Sequence, residues 1–429
     1  MRLSVKRFGM EEKMEHWKKI WGYVPIDFGT LIGAPDDITQ KIRIKNNVSG
    51  SAVKIKFTNK YNRDTLLLEQ VCVGKINKNS GKITGPVKVT CQGKTQIAVP
   101  IGQEFYSDSI PLLLEAEEDL AVSVYLKEKH EIYSLCQTWS ARGWQSSFFK
   151  GNQTEKDDLS GKSTLETFPF FAYDEHICNG AFGVSGVQVL AKEDVTVMAC
   201  FGDSITHMSY YFDALQDILY ARYTGKFALL NCGIGGNRVL YDASYVKDMP
   251  GCGRCFGKAG QDRFVEDVYG DVVPDIVFLM EGINDCMHGI DFCLEGQVPT
   301  GTMIFEGLKS MIEKAHKKGS RIYISTVMPF ANDSKQAAGQ SESIRQELNA
   351  LIRAHKDLAD GFVDLDEAVR RPENIYLMKD GLHLGDGLHP NAAGGKAIAE
   401  VIGTKFSLFY SKSNMEQLKK QTGRLKTNR

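Results

Sequence analysis

Polar and apolar residues alternate along the first part of the chain, and the alternation stops near residue 190. In SAVKIKF the apolar positions are Val53, Ile55 and Phe57, with lysines between them. In TQIAVPI they are Ile97, Val99 and Ile101, and in LAVSVYL they are Leu120, Val122, Val124 and Leu126. A period of two sends successive side chains to opposite faces of a strand, so these segments predict strands with one buried and one wet face. The polar clusters NNVSGS, NKYNRD and NKNSGK predict the turns between them. No long helical period interrupts residues 38–190, and the expectation is an antiparallel β-sandwich of jelly-roll type.

From about residue 192 the texture changes. The runs VTVMACF (195–201), KFALLNC (226–232), DIVFLM (275–280), RIYISTV (321–327) and GFVDLD (361–366) are nearly apolar throughout. Strands of that kind are covered on both faces, as in a parallel sheet. Between them lie helical periods: Ile304, Leu308, Met311, Ile312 and Ala315 share one face, and Ile344, Leu348, Leu351 and Ile352 another. A last helix carries Ile398, Val401 and Ile402. Five β-then-α units predict a doubly wound, flavodoxin-like α/β domain. The expected division is 1–190 for the sandwich, 191–410 for the α/β domain, and a basic polar tail at 411–429.

A length of 429 residues fits two such domains. With 42% hydrophobic and 24% charged residues and a net charge of -1, the chain reads as globular, without the basic stripe of a nucleic-acid binder. The first residues lack a signal-peptide pattern and no apolar run of 18 occurs, so a cytoplasmic protein with no membrane span is expected. The ten cysteines are scattered, several inside apolar runs, and do not read as a disulfide framework. Cys252 and Cys255 form a CxxC pair open to a metal or redox reading, although no second ligand pair has zinc-site spacing.

Four segments carry chemistry. ACFGDSIT puts Ser204 at the carboxyl end of the first parallel strand and at a helix start, where free N–H groups suit a developing anion. An N-cap serine is the plain alternative there. LLNCGIGGNRVL places Gly233, Gly235 and Gly236 after the second strand, in a loop whose backbone can approach a ligand. FLMEGINDCMHG places Asn284 after the third strand, where its amide can donate to an oxyanion. GDGLHPN brings Asp386 within three residues of His389, so the carboxylate can orient the imidazole. Together these are a nucleophile, anion donors and an oriented base, the parts needed for acyl transfer.

In order, GDSIT, GIGGN, GIND and DGLHPN resemble the conserved blocks of the SGNH (GDSL-type) hydrolase family, over about 192–405. GQDRFVEDV and VKIKFTNKYNRDTLLLEQVCVG are similar to a two-domain subgroup with a β-sandwich ahead of the catalytic domain. The resemblance implies Ser204 as nucleophile, His389 as base and then acid, and Asp386 as its orienter. It implies an oxyanion hole of the Ser204 and Gly236 N–H groups and the Asn284 side chain, with Asp203 structural. It implies no cofactor. After GDSIT the chain departs from the family's polar-then-glycine pattern with His207, Met208, Ser209 and Tyr210. A second DGLH copy, Asp380–His383, lacks the following Pro-Asn, so His383 is read as a loop residue.

The function expected is hydrolysis of a short-chain, acetyl-type ester on a carbohydrate, with a small-molecule or glycan ester as the partner. A lipid-directed esterase is the alternative, and a glycan-binding protein on a hydrolase scaffold is an alternative of another class. Trp139, Trp144, Phe148 and Phe149 form an aromatic cluster that fits either a sugar platform or a core contact.

Overall fold

The computed structural model describes residues 15–406, apart from 175, 192–193, 243–245, 292–296 and 332–338. Cys293 and the basic tail 411–429 lie outside the described residues. The N-terminal half contains two main antiparallel sheets. In one, His16–Gly22 pairs with Val184–Ala191, which pairs with Gly50–Thr58, which pairs with Ile110–Leu114. The other runs Trp144–Lys150, Ile38–Ile44, Leu120–Leu126, Gln70–Ile76, Ile83–Lys88. Val53, Ile55 and Phe57 from the first sheet and Ile42, Ile44, Val122 and Val124 from the second join one continuous core, as the alternation predicts.

Two departures from that pattern have local causes. The outer face of the second sheet is not wet: Lys41, Ala121 and Ser123 are buried as well. The segment after Lys150 lies over it. The Lys41 ammonium donates to the carbonyls of Lys156 and Asp158 at 2.7 Å each, and Leu159 packs against Ile76, Ile83 and Ala121. Buried lysines need such partners. The other departure is Ile101, which is 54% exposed because its strand ends at Val99, before Pro100 and a turn.

The C-terminal half is a parallel sheet of β1 (Thr196–Gly202), β2 (Phe227–Gly233), β3 (Ile276–Met280), β4 (Arg321–Ser325) and β5 (Gly361–Val363). Its order is β2-β1-β3-β4-β5, with every pair parallel. The connecting helices are α1 (Ser204–His207), α2 (Tyr210–Arg222), α3 (Gly260–Tyr269), α4 (Ile283–Asp291), α5 (Gly301–Lys318), α6 (Gly339–Ala354), α7 (Leu365–Val369) and α8 (392–406). The predicted faces of α5 and α6 are the buried ones: Ile304, Leu308, Met311, Ile312 and Ala315, then Ile344, Leu348 and Ile352. The fifth strand is shorter than the apolar run implies. Asp364 accepts from Glu367 N–H and caps α7, so the chain turns helical at Leu365. The strand order reverses direction across β1, which places the ends of β1 and β3 at the switch point where such sheets bind ligands.

The two halves are joined along the edge of this sheet. Tyr23 forms a parallel bridge to Asn231 on β2. The Asn47 amide donates to the carbonyls of Tyr223 and Phe227, at 3.2 Å each. Asp271 gathers Lys19, Lys56 and the Tyr106 hydroxyl at 3.1, 3.2 and 2.7 Å. Among the described residues, no helix is long and apolar enough to cross a membrane.

Candidate active site

Asp203 follows β1 and caps α1, its Oδ1 accepting from the Ile205 N–H at 2.9 Å. Ser204 is therefore the first helical residue, half-buried at the rim, and its N–H has no hydrogen-bond partner among the described residues. Just beyond, Ser209 adopts a left-handed backbone with φ 67°, unusual for a residue with a Cβ. Its buried hydroxyl offsets that strain by donating to His207 O at 3.2 Å. It also accepts from Asn231 Nδ2 at 3.0 Å and lies 3.1 Å from the Tyr23 hydroxyl. The departure from the family pattern after GDSIT thus ends in a turn held by β2 and by the sandwich.

His389 enters from the opposite end of the chain. Its Nε2 lies 2.8 Å from Ser204 Oγ, and its Nδ1 lies 2.7 Å from Asp386 Oδ2. The other Asp386 oxygen accepts from the N–H groups of Leu388 and His389 at 2.9 and 3.0 Å. Partial burial pushes this carboxyl up, but the His389 contact and the backbone donors outweigh it and hold the pKa at about 2. An ionised carboxylate at Nδ1 leaves Nε2 free to accept a proton from the serine.

Gly236, in the turn after β2, has φ 71°. A Cβ there would lie 2.3 Å from the Phe256 ring, so only glycine fits. Its N–H has no hydrogen-bond partner among the described residues. The neighbouring Gly235 faces Ser204, since a Cβ on it would lie 3.9 Å from Ser204 Cβ. Asn284, buried at the start of α4, donates one amide hydrogen to Asn237 O at 2.8 Å, leaving the second for a ligand. The segments read from the sequence therefore meet at one lip of the sheet.

Two supporting residues, Arg263 and Glu281, were not singled out by the sequence. Arg263, buried on α3, donates to Gly202 O, Cys232 O and Asn237 Oδ1 at 2.9, 2.9 and 2.7 Å. It also pairs with Asp267 at 2.9 Å and lies 4.0 Å from the centroid of the Phe201 ring. One guanidinium thus ties the ends of β1 and β2 to the Gly236 turn. Below it, Glu281 is buried with neither oxygen hydrogen-bonded among the described residues. Burial, with Asp203 adding to it, pushes this carboxyl well above the usual carboxylate range, against the pull of Arg263. Burial likewise raises Asp203 to about 7. His207 is buried, and its Nδ1 accepts from Gly235 N–H at 3.1 Å; burial, then Arg263, lowers its pKa to about 4. A neutral His207 therefore braces the glycine turn.

The aromatic cluster separates into different roles. Trp144 is buried against Trp21 and Tyr23, and Phe148 against Phe168. Phe149 lies beneath the Lys41 ammonium, 4.9 Å from the ring centroid. Trp139 alone reaches the rim: it is half-buried, and its ring centroid is 5.9 Å from that of His389, at 60°. Cys252 and Cys255 are free thiols in a turn that carries Phe256 to Gly236, and burial pushes Cys255 to about 11. Among the described residues no group of three or more His, Cys, Asp or Glu side chains could hold a metal ion.

A serine hydroxyl against a carboxylate-oriented imidazole, on the switch point of a 2-1-3-4-5 sheet on a flavodoxin-like scaffold, is an arrangement with the parts for acyl transfer. Residues 200–397 match the GDSL-like Lipase/Acylhydrolase family, a match that supports a carboxylic ester hydrolase. Among solved structures, the chain is similar to the acetyl xylan esterase AlAXEase, with 21% identity over 48% of this chain and 98% of that chain, at a TM-score of 0.37. It is also similar to a GDSL-like lipase from Bacteroides thetaiotaomicron, with 18% identity over 49% and 86% at 0.35. An acetyl xylan esterase from Geobacillus stearothermophilus shows 21% identity over 49% and 94% at 0.38. No curated protein matches the chain.

Proposed function

We propose that the chain hydrolyses a short-chain, acetyl-type ester on a carbohydrate alcohol through an acyl-enzyme on Ser204. The observation that carries the catalytic part is the unbroken relay from Ser204 Oγ to His389 Nε2 at 2.8 Å and from His389 Nδ1 to Asp386 at 2.7 Å. His389 takes the hydroxyl proton as Ser204 attacks the ester carbonyl. The N–H groups of Ser204 and Gly236 and the free Asn284 amide hydrogen hold the oxyanion, each donor contributing about 3 kcal/mol. The alcohol leaves with the proton from His389. Water, deprotonated by the same imidazole, then releases the acid, so ester, water and side chains supply every atom.

The acyl and alcohol preferences are read from how open the rim is. The Asp386 side chain is 43% exposed and that of His389 20%. An open lip suits a bulky, hydrated alcohol that stays outside and an acyl group too small to need burial. A long chain would forgo about 0.8 kcal/mol for each methylene left in water. The experiment is hydrolysis of p-nitrophenyl acetate, butyrate and octanoate by the wild type and by Ser204→Ala. Acetate should be the best substrate, and the variant should lose about 10^4-fold or more in kcat with an unchanged circular dichroism spectrum. Undiminished turnover by the variant removes the mechanism, whereas a preference for octanoate favours the lipid-directed reading.

A further inference from the structure

We infer that Trp139 is a substrate-binding residue, contributed by the β-sandwich, that receives the alcohol part of the ester and stacks on a sugar ring. The inference rests on the proposed mechanism and extends it to one face of the substrate. In that mechanism the two ends of the ester are assigned by geometry. The carbonyl oxygen faces Ser204 N–H, Gly236 N–H and Asn284, while the leaving oxygen must face His389 Nε2 to collect its proton. Whatever packs beside His389 therefore meets the alcohol and not the acyl group. Trp139 packs there, with its ring centroid 5.9 Å from the imidazole in an edge-to-face arrangement.

The indole is held rigidly at that place. The Ser134–Thr138 strand delivers it, and the residues on either side are pinned to the turn after the nucleophile. Thr138 Oγ1 and Ser140 N–H both donate to Met208 O, at 3.1 Å each. Trp139 is thus fixed relative to Ser204 by bonds from the neighbouring residues, so its ring is pre-placed before a ligand arrives. The ring is only half-buried, in contrast to Trp144 five residues later, which is 1% exposed. His176, from the same half of the chain and exposed, lies 5.5 Å from Trp139 at a tilt of 39° and widens the aromatic surface. A flat apolar ring with a polar rim matches a pyranose, whose axial C–H groups make an apolar face while its hydroxyls point outward.

The test compares two acetyl esters that differ only in the alcohol: methyl acetate and glucose pentaacetate, a pyranose with every hydroxyl acetylated. For Trp139→Ala, kcat/KM on the pentaacetate should fall about 10-fold or more, mainly through KM, while methyl acetate changes by less than about two-fold. Trp139→Phe, which keeps a flat ring, should recover most of the loss. Equal losses on both esters would mean that Trp139 only buttresses His389, and no loss on either that it touches no substrate; both overturn the inference. A wild type that turns over methyl acetate without favouring the pentaacetate sinks the carbohydrate reading while sparing the ester chemistry. A wild type inert on both sinks the mechanism itself.

Discussion

In the first Asp-Gly-Leu-His copy, the carboxylate turns away from its own histidine: Asp380 pairs with Arg371 at 2.5 Å and is 83% exposed. His383 instead accepts, at Nδ1, from the N–H groups of Gly385 and Gly387 at 3.1 Å each. In the second copy, Asp386 turns inward to His389 Nδ1, and the opposite ring nitrogen meets Ser204. Asn391 separates the two. It caps α8 by accepting from Ala393 and Gly394 N–H, and its amide hydrogens reach back to the carbonyls of Gly381 and His383. The helix cap thus fixes the loop, the first copy's Nδ1 holds the loop's glycines, and the second copy's imidazole bridges Asp386 and Ser204. Identical side chains are set apart by what their Nδ1 meets, backbone N–H groups in one copy and a carboxylate in the other.

The sharpest break of this comparison is His389→Ala, expected to lower kcat by about 10^4-fold or more on p-nitrophenyl acetate, because the serine loses its proton acceptor. Retained turnover would show that the two histidines had been read the wrong way round. Asp386→Asn comes next, at about 10^3-fold, since the amide can no longer support the imidazolium. That variant also has a pH signature. A carboxyl whose folded pKa is held at about 2 adds stability above its unfolded value of about 3.9 and loses it as the pH falls through about 2. The Tm advantage of the wild type over Asp386→Asn should therefore be present at pH 5 and shrink steadily as the pH is lowered toward 2. A constant gap would mean that the carboxylate's charge has no part in it.

The comparison also shows what a sequence can and cannot disclose. Pro390, Asn391 and a helical period follow His389 and not His383, and that distinction is local information in the sequence. The sandwich strands and the five parallel strands were legible for a similar reason: burial on one face or on two leaves a period within seven residues. The bracing of the site was not legible, because it is made between segments far apart in the chain. Arg263 reaches back to Gly202, Trp139 reaches forward to His389, and the Ser209 turn depends on Tyr23. No local period marks a buried arginine whose partners include the distant carbonyls of Gly202 and Cys232. Trp139 and Trp144 look alike in sequence, yet the strand Trp144–Lys150 buries one while the Met208 pins hold the other at the rim.

The smallest expected effects come from the first copy, and they separate its two members. His383→Ala removes the acceptor for two backbone donors, one of them in the buried Gly387. An unpartnered N–H of that kind costs about 1–2 kcal/mol, measurable by urea unfolding. Because Leu384 N–H bonds to His389 O at 2.9 Å, a loosened loop also displaces the working imidazole, so kcat should fall about 10-fold with KM little changed. Asp380→Asn breaks only an exposed ion pair, and such pairs contribute about 0–1 kcal/mol. It should leave stability within about 0.5 kcal/mol and activity within about two-fold. If Asp380→Asn instead matched Asp386→Asn in its loss of activity, the first carboxylate would be acting on the chemistry, and the distinction drawn from Arg371 would fail.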